Sequence, residues 1–256
     1  MPTVRRLELA PLTNYCFLRR NDWAVDPIYE TGITAGCLID TVGQWISGDE
    51  CRIACVESPS KEKRASVGLD ILRHLRDDRG LHCIQYFATL PSSLPRSERR
   101  PSAMDWMKSL LNTLILQLIE IAPSSFSTSE AILTRDVAST LENLPDNARI
   151  VCFVKIFEAL VNVAPLNTCF VLESLDNITK LRGCNDDLDE RILRILVIMM
   201  ERHKIIWIGT KSDIYIKCLI HGYHRVGRIQ YPRHRRHPET RLEVLRRESR
   251  RRRDRG

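Results

Sequence analysis

The apolar positions along this chain change their spacing several times, and each change marks an element. Cys37 to Trp45 is largely apolar and runs into Ser47-Gly48-Asp49-Glu50, a turn signal. Cys51 to Val56 is a short apolar run that enters Ser58-Pro59-Ser60, as a strand enters a loop. From Arg64 to Arg76, the residues Val67, Leu69, Ile71, Leu72 and Leu75 fall at near-helical spacing, and Gly80 supplies a stop. Leu81 to Leu90 is apolar and aromatic and predicts a second strand, followed by a proline-rich loop from Pro91 to Pro101.

The strongest helical pattern spans Ala103 to Ile121. Met104, Met107, Leu110, Leu111, Leu114, Ile115, Leu118 and Ile119 recur every three or four positions, and Pro123 ends the run. A weaker helix is predicted near Glu130 to Asn143, and another over Ala148 to Val163. Asn167 to Ser174 and Lys204 to Gly209 are continuous apolar runs bounded by polar or turn residues, the signature of strands buried on both faces. An apolar helix from Leu188 to Arg202 lies between them. Short apolar strands separated by helices predict an α/β fold, with a mainly parallel sheet flanked by helices. Residues 1 to 36 lack clean periodicity, contain Pro11 and Pro27, and are read as an irregular, helical leader.

Composition narrows the class. At 43% hydrophobic and 28% charged residues the chain is ordinary globular material. It has no apolar run of membrane-spanning length and no signal-peptide h-region near Met1, so a cytoplasmic location is expected. Nine cysteines are scattered without a C-x-x-C pair, and most sit in apolar runs. They are expected to be small buried hydrophobes in a reducing compartment rather than disulfide or zinc partners. The net charge of +7 is unevenly placed: residues 225 to 256 hold 13 Arg against 4 acidic residues, a net of +9, leaving −2 for the rest. That segment is read as a basic, disordered tail. Nuclear targeting and nonspecific nucleic-acid binding through phosphate charge are its functional readings, and a plain solvated end is the bland one. Aromatic residues are nearly absent from it, so base stacking is not indicated.

The order of the elements resembles the NACHT-type domain of fungal STAND proteins, a P-loop NTPase family. Several segments carry the resemblance together: Ile39 to Gly48 (IDTVGQWISG), the strand and loop from Cys51 to Ser66, the strand at His82 to Thr89, and Leu110-Leu111 with Gln117-Leu118 in the long helix. To these are added Phe170 to Asn177 at the Walker B position and Gly209 to Ser212 at the third motif. The resemblance covers roughly residues 37 to 212, within a domain read as 37 to 224, and implies a three-layer P-loop NTPase-like sandwich, ATP with Mg²⁺ as the family's ligands, and signalling proteins as partners.

It also shows what has been lost. A working P-loop is G-x-x-x-x-G-K-[S/T]: glycines let backbone N–H groups wrap the phosphates, Lys reaches the β and γ phosphates, and the hydroxyl ligates Mg²⁺. The matching stretch here is Glu57 to Arg64, in which Lys63 is kept, Glu57 and Glu62 replace both glycines, and Arg64 replaces the hydroxyl. A carboxylate about 4 Å from a phosphate costs about 4 kcal/mol at an effective dielectric near 20, or about three decades in affinity. The loop is therefore either a weakened anion site or a charged, solvated loop, the second being favoured. At the Walker B position Glu173 is one methylene longer than the family's Asp, Asp176 matches, and Asn177 stands where an acid would orient water. Thr210 matches the third motif, but Lys211-Ser212 departs from Ser-Arg. The candidate nucleotide-contacting residues are thus Lys63, Arg64, Glu173, Asp176 and Thr210. No catalytic or metal-ligating residue is assigned, and little or no hydrolysis is expected; the alternative is a residual ATP-binding protein or weak ATPase that uses Lys63, Glu173 and Asp176. His221-x-x-His224 has no acidic or Cys partner nearby and reads as a surface turn.

Overall fold

The computed structural model describes residues 3–18, 36–48, 52–58, 64–87, 102–127, 133, 136–173, 194–195, 197–199, 201–209 and 226–230. Its centre is a five-stranded sheet in the order β3-β5-β6-β2-β7. The strands are β2 (Ile53–Glu57), β3 (His82–Phe87), β5 (Thr168–Glu173), β6 (Lys204–Gly209) and β7 (Val226–Gln230), and every pairing among them is parallel. A two-stranded antiparallel ribbon, β1 (Thr3–Arg5) with β4 (Ser125–Ser127), stands beside it.

Successive strand side chains point to opposite faces, and the core divides accordingly. Ile53, Cys55, Ile84, Tyr86, Phe170, Leu172, Ile205 and Trp207 belong to one apolar cluster. Their neighbours Ala54, Val56, Cys83, Cys169, Val171, Ile206 and Ile208 belong to the other. The first cluster is closed by α1 (Ala10–Leu18), α4 (Ala103–Ile121), α5 (Val137–Asn143), α6 (Asp146–Val163) and the helical residues described between 194 and 202. The second is closed by α2 (Gly36–Ser47) and α3 (Arg64–Arg73). The result is a three-layer α/β architecture, a parallel sheet flanked by helices, as the alternating strand and helix pattern predicts.

The connections explain why helices occupy both faces. From β2 the chain crosses by way of α3 to β3 at one edge, then returns through β5 to β6. Right-handed crossovers place helices on opposite faces when the direction of progress reverses, so α3 lies on one face and α4, α6 and the 194–202 helix on the other. β5 is buried along all six residues, as a strand flanked on both sides and covered on both faces must be.

Local chemistry sets the element ends. Ser102 and Asp105 form a capping box at the head of α4: Asp105 N–H donates to Ser102 Oγ at 3.2 Å, and Ser102 N–H donates to Asp105 Oδ2 at 2.9 Å. After α3 the chain makes a π-helical turn, His74–Asp78, and stops at Gly80, whose φ of 62° is the left-handed conformation that glycine adopts without a Cβ penalty. At the end of α2, Lys204 Nζ donates to the carbonyls of Trp45, at 2.7 Å, and Gly48, and lies 4.9 Å from the centre of the Trp45 ring. One cation from β6 thereby satisfies helix-end carbonyls and stacks on the indole.

The edge strand β3 is closed by a side chain. Gln85 N–H donates to Gln117 Oε1 at 2.9 Å, and Gln117 Nε2 donates to Gln85 O at 2.8 Å. The amide thus takes the place of a neighbouring strand at that position.

Two segments join the core beyond what the sequence reading specified. In the leader, Val4, Leu9, Leu12, Tyr15 and Cys16 are buried in the first cluster, and Pro11 occupies the first turn of α1, where a missing N–H costs nothing. Within the segment read as a basic tail, Val226–Gln230 is β7, paired with β2 and supplying partners to a backbone that would otherwise be an open edge. Five described cysteines, Cys16, Cys55, Cys83, Cys152 and Cys169, are buried and form no disulfide. No helix of the described residues is long and apolar enough to cross a membrane.

Candidate functional site at the carboxyl edge of the sheet

In an open parallel sheet, ligands bind outside the carboxyl ends of the strands. Here those ends are aligned by register. Phe87 is opposite Glu173, Glu173 opposite Ile208, Glu57 opposite Gly209 and Gln230. The ladder runs one step further through Ser58 N–H, which donates to Gly209 O at 2.9 Å, and Ser58 is itself buried.

Glu173 ends β5 with no exposed surface. By alternation with Cys169 and Val171 it is on the face covered by α2 and α3. Its register neighbours Phe87 and Ile208 flank it on that face. Both are touched by α3 at Gly68: a Cβ built there would lie 2.4 Å from Phe87 Cε1 and 3.1 Å from Ile208 Cδ1. The helix backbone therefore rests over the row that holds Glu173, and only a residue without a side chain permits that approach.

Arg64 is the first residue of α3 and is 2% exposed. Its burial follows from the stripe it belongs to. Positions 64, 67, 68, 71, 72 and 75 are spaced at i, i+3, i+4, i+7, i+8 and i+11, and Val67, Ile71, Leu72 and Leu75 are core residues of the second cluster. Arg64 lies one turn from Gly68, about 6 Å along the same helix face. A guanidinium and a carboxylate are thus enclosed in the same layer at the same end of the sheet. Burial of a charge is tolerated when countercharge and hydrogen bonds compensate it, and neither residue is without a partner.

On the opposite face, Tyr86 is 1% exposed beside the buried Ser109 of α4. Burial holds its hydroxyl well above the usual phenol range, and the charge of Glu173 adds to the shift. Tyr86 remains neutral at any physiological pH and presents a hydroxyl, not a phenolate, near the carboxyl edge. Sequence reading passed over Tyr86 and Gly68. The signal for Gly68 was a glycine on the apolar stripe of a helix, which commonly marks a close approach.

Of the five residues expected to contact nucleotide, the structure places Arg64 and Glu173 at this edge. Lys63, Asp176 and Thr210 lie outside the described residues, as do Asn177, Lys211, Ser212, His221 and His224. No group of three or more metal-binding side chains occurs among the described residues. A groove of about 390 Å³, lined in part by Arg6, Leu7, Asn14 and Glu120, lies between α1 and the last turn of α4, away from these residues.

No family model matches this chain, and no curated protein matches it. Among solved structures it is similar to one described as an ABC transporter (ATP-binding protein) from Pyrococcus furiosus, with 12% identity, 62% of this chain and 78% of that chain covered, and a TM-score of 0.27. A likeness of that size assigns no activity, and the functional reading rests on the geometry of the carboxyl edge.

Proposed function

We propose that this chain is a degenerate NACHT/STAND-type nucleotide-binding module that acts in signalling or non-self recognition, with little or no hydrolysis. One observation carries the reading. The carboxyl edge of the parallel sheet, where such folds take ligands, encloses Glu173 at the Walker B position and Arg64 at the end of the P-loop position. Two buried charges of opposite sign at one sheet end are costly unless selected for something, and they coincide with the positions at which the resemblance implies phosphate chemistry. Loss of hydrolysis follows from Asn177, whose amide has no basic oxygen with which to take a proton from water.

The test is equilibrium binding of a fluorescent ATP analogue to the full chain, beside phosphate release from ATP. Saturable binding weakened roughly tenfold or more by Lys63→Ala, the effect of removing one charge-assisted hydrogen bond, with phosphate release at background, is expected. Absence of binding, or binding indifferent to Lys63→Ala, overturns the nucleotide site. Steady phosphate release that Lys63→Ala abolishes overturns the loss of hydrolysis.

A further inference from the structure

Cys83 is the second residue of the edge strand β3, and Cys169 is the second residue of its neighbour β5. The two are opposite each other in the parallel register, at the end of the sheet away from the carboxyl edge. Both belong to the apolar layer under α2 and α3, so their side chains leave the sheet on the same face. Adjacent strands run about 4.7–4.9 Å apart, inside the span of about 4.4–6.8 Å between the Cα atoms of a disulfide. The Cβ atoms of a disulfide stand about 3.5–4.5 Å apart, so the strands must close by roughly a few tenths of an ångström. β3 can give way by that much, because it stands at the end of the strand order with β5 as its partner. Neither thiol is held strongly where it is: Cys83 Sγ reaches Leu81 O at 3.7 Å and Cys169 Sγ reaches Phe170 O at 3.9 Å, long contacts from weak donors. Cys83 retains 8% exposure and Cys169 1%, so a small oxidant meets Cys83 first.

We propose that Cys83 and Cys169 form a redox-switchable dithiol, which a small peroxide converts to a disulfide that ties the edge strand β3 to β5. Hydrogen peroxide takes the Cys83 thiolate to the sulfenic acid: an S–O bond forms, the O–O bond breaks, and the departing hydroxide becomes water with the thiol's proton. The Cys169 sulfur then attacks the Cys83 sulfur, the S–O bond breaks, and the hydroxyl leaves as a second water with the Cys169 proton. Two thiols lose two protons and two electrons, and one peroxide is reduced to two waters. The bond closes a loop that contains α4, α5 and α6, and long loops gain most from closure. Burial pushes the Cys83 thiol up to about 11, with Arg76 opposing the shift and Asp77 adding to it. Burial also holds Cys169 well above the usual thiol range, with Cys83 adding to the shift and Lys204 opposing it. Reactive thiolate is therefore scarce near neutral pH, and the pair stays reduced until oxidant is sustained.

The experiment is oxidation of the full chain with hydrogen peroxide, followed by maleimide blocking in denaturant, trypsin digestion without reductant, and mass spectrometry. Tryptic peptides 80–96 and 156–180 each contain a single cysteine, so the link is read directly. Expected is the 80–96 to 156–180 pair as the dominant disulfide, reversed by dithiothreitol, with a higher urea midpoint for the oxidised chain than for the reduced one. In Cys169→Ala, Cys83 should instead be trapped by dimedone as the sulfenic acid. The rate of linkage should rise about a hundredfold from pH 7.5 to 9.5, against about tenfold for a thiol near its ordinary value of about 8.5. Recovery of both cysteines as maleimide adducts while other cysteines oxidise overturns the pairing, as does a linked peptide no more abundant than in chain oxidised in urea. Sulfenic acid that persists on Cys83 in wild type overturns the part of Cys169. A rate that levels near pH 8.5 places the reaction in the unfolded chain and overturns the switch. Should Cys169→Ala fail to fold, the wild-type peptide map and pH response decide between the same outcomes.

Discussion

Gly68→Ala sets two effects of opposite sign against each other, and the structure decides which wins. In an exposed helix the change stabilises, because glycine is about 1 kcal/mol worse than alanine in a helix interior. Position 68 is not exposed. The new Cβ would sit 2.4 Å from Phe87 Cε1, a ring atom, and 3.1 Å from Ile208 Cδ1. The isoleucine tip yields by a small rotation. The ring does not: Phe87 is 6% exposed and flanked by Glu173 in the register. Relief requires an off-rotamer ring at about 0.5–1.5 kcal/mol or a lift of α3 that opens the layer beneath it. Overpacking of this kind costs typically 1–3 kcal/mol. Set against the propensity gain of about 1 kcal/mol, the net expectation is a loss of up to about 2 kcal/mol. Urea denaturation followed by far-ultraviolet circular dichroism measures it as a lower midpoint at unchanged slope. The double variant Gly68→Ala with Phe87→Leu, which removes the ring from the contact, should then be less destabilised than the two single changes added together, because the sites are coupled. A higher midpoint for Gly68→Ala alone would refute the reasoning, since it would show that the helix does not rest on β3 and β6 at this point.

Three further expectations concern other devices of the fold. Gln117→Leu removes both bonds to Gln85 and leaves a backbone N–H and C=O of the edge strand open, which costs about 1–3 kcal/mol. It should also produce concentration-dependent self-association in sedimentation velocity, and a variant that stays monomeric at equal stability would refute the edge-closing role. Lys204→Met keeps the aliphatic stem but loses the bonds to Trp45 and Gly48 and the contact with the indole. A thermal midpoint lower by several degrees, from about 1–2 kcal/mol, is expected. His203 is buried, bonded through Nε2 to Val161 O at 3.1 Å, and its pKa lies below 6.5 because burial disfavours the imidazolium, with Arg202 and Arg52 adding to the effect. The unfolded chain binds the proton more readily, so the contribution of the neutral ring is full above about pH 6.5 and is lost as pH falls below it, by no more than about 1.4 kcal/mol per pH unit for one group. Stability measured from pH 7.5 to 5 should show this slope in wild type and a shallower one in His203→Phe.

The parts of the fold that were legible from sequence are those where burial and period agree. β6 is found at Lys204–Gly209 and α4 at Ala103–Ile121, the spans their apolar patterns predict, because a strand covered on both faces and a long one-sided helix leave little freedom of assignment. The β1–β4 ribbon was invisible: each three-residue strand has a single buried apolar side chain, Val4 or Phe126, and one residue defines no period. β7 was masked by charge, since Arg225 and Arg228 made the segment resemble the arginine-rich residues after it, while its strand character comes from pairing with β2. At the site, sequence located Arg64 and Glu173 by motif position but not their enclosure. Arg64 was in fact readable as buried, because it starts the stripe continued by Val67, Ile71 and Leu75. Motif comparison counted it as a lost hydroxyl rather than as a gained internal charge.

That distinction bears on which positions of the chain the packed layers constrain. The two apolar clusters are built from strand interiors and helix stripes. A substitution in a connecting loop opens no cavity and costs little stability. Arg64 and Glu173 are exceptions because they sit where loop chemistry meets the packed layer, with 2% and 0% exposure. A charge at such a position cannot be a neutral loss: removing either one deprives its enclosed partners of compensation, an effect of several kcal/mol. Arg64 and Glu173 are therefore expected to tolerate only replacements that keep the layer electrically balanced.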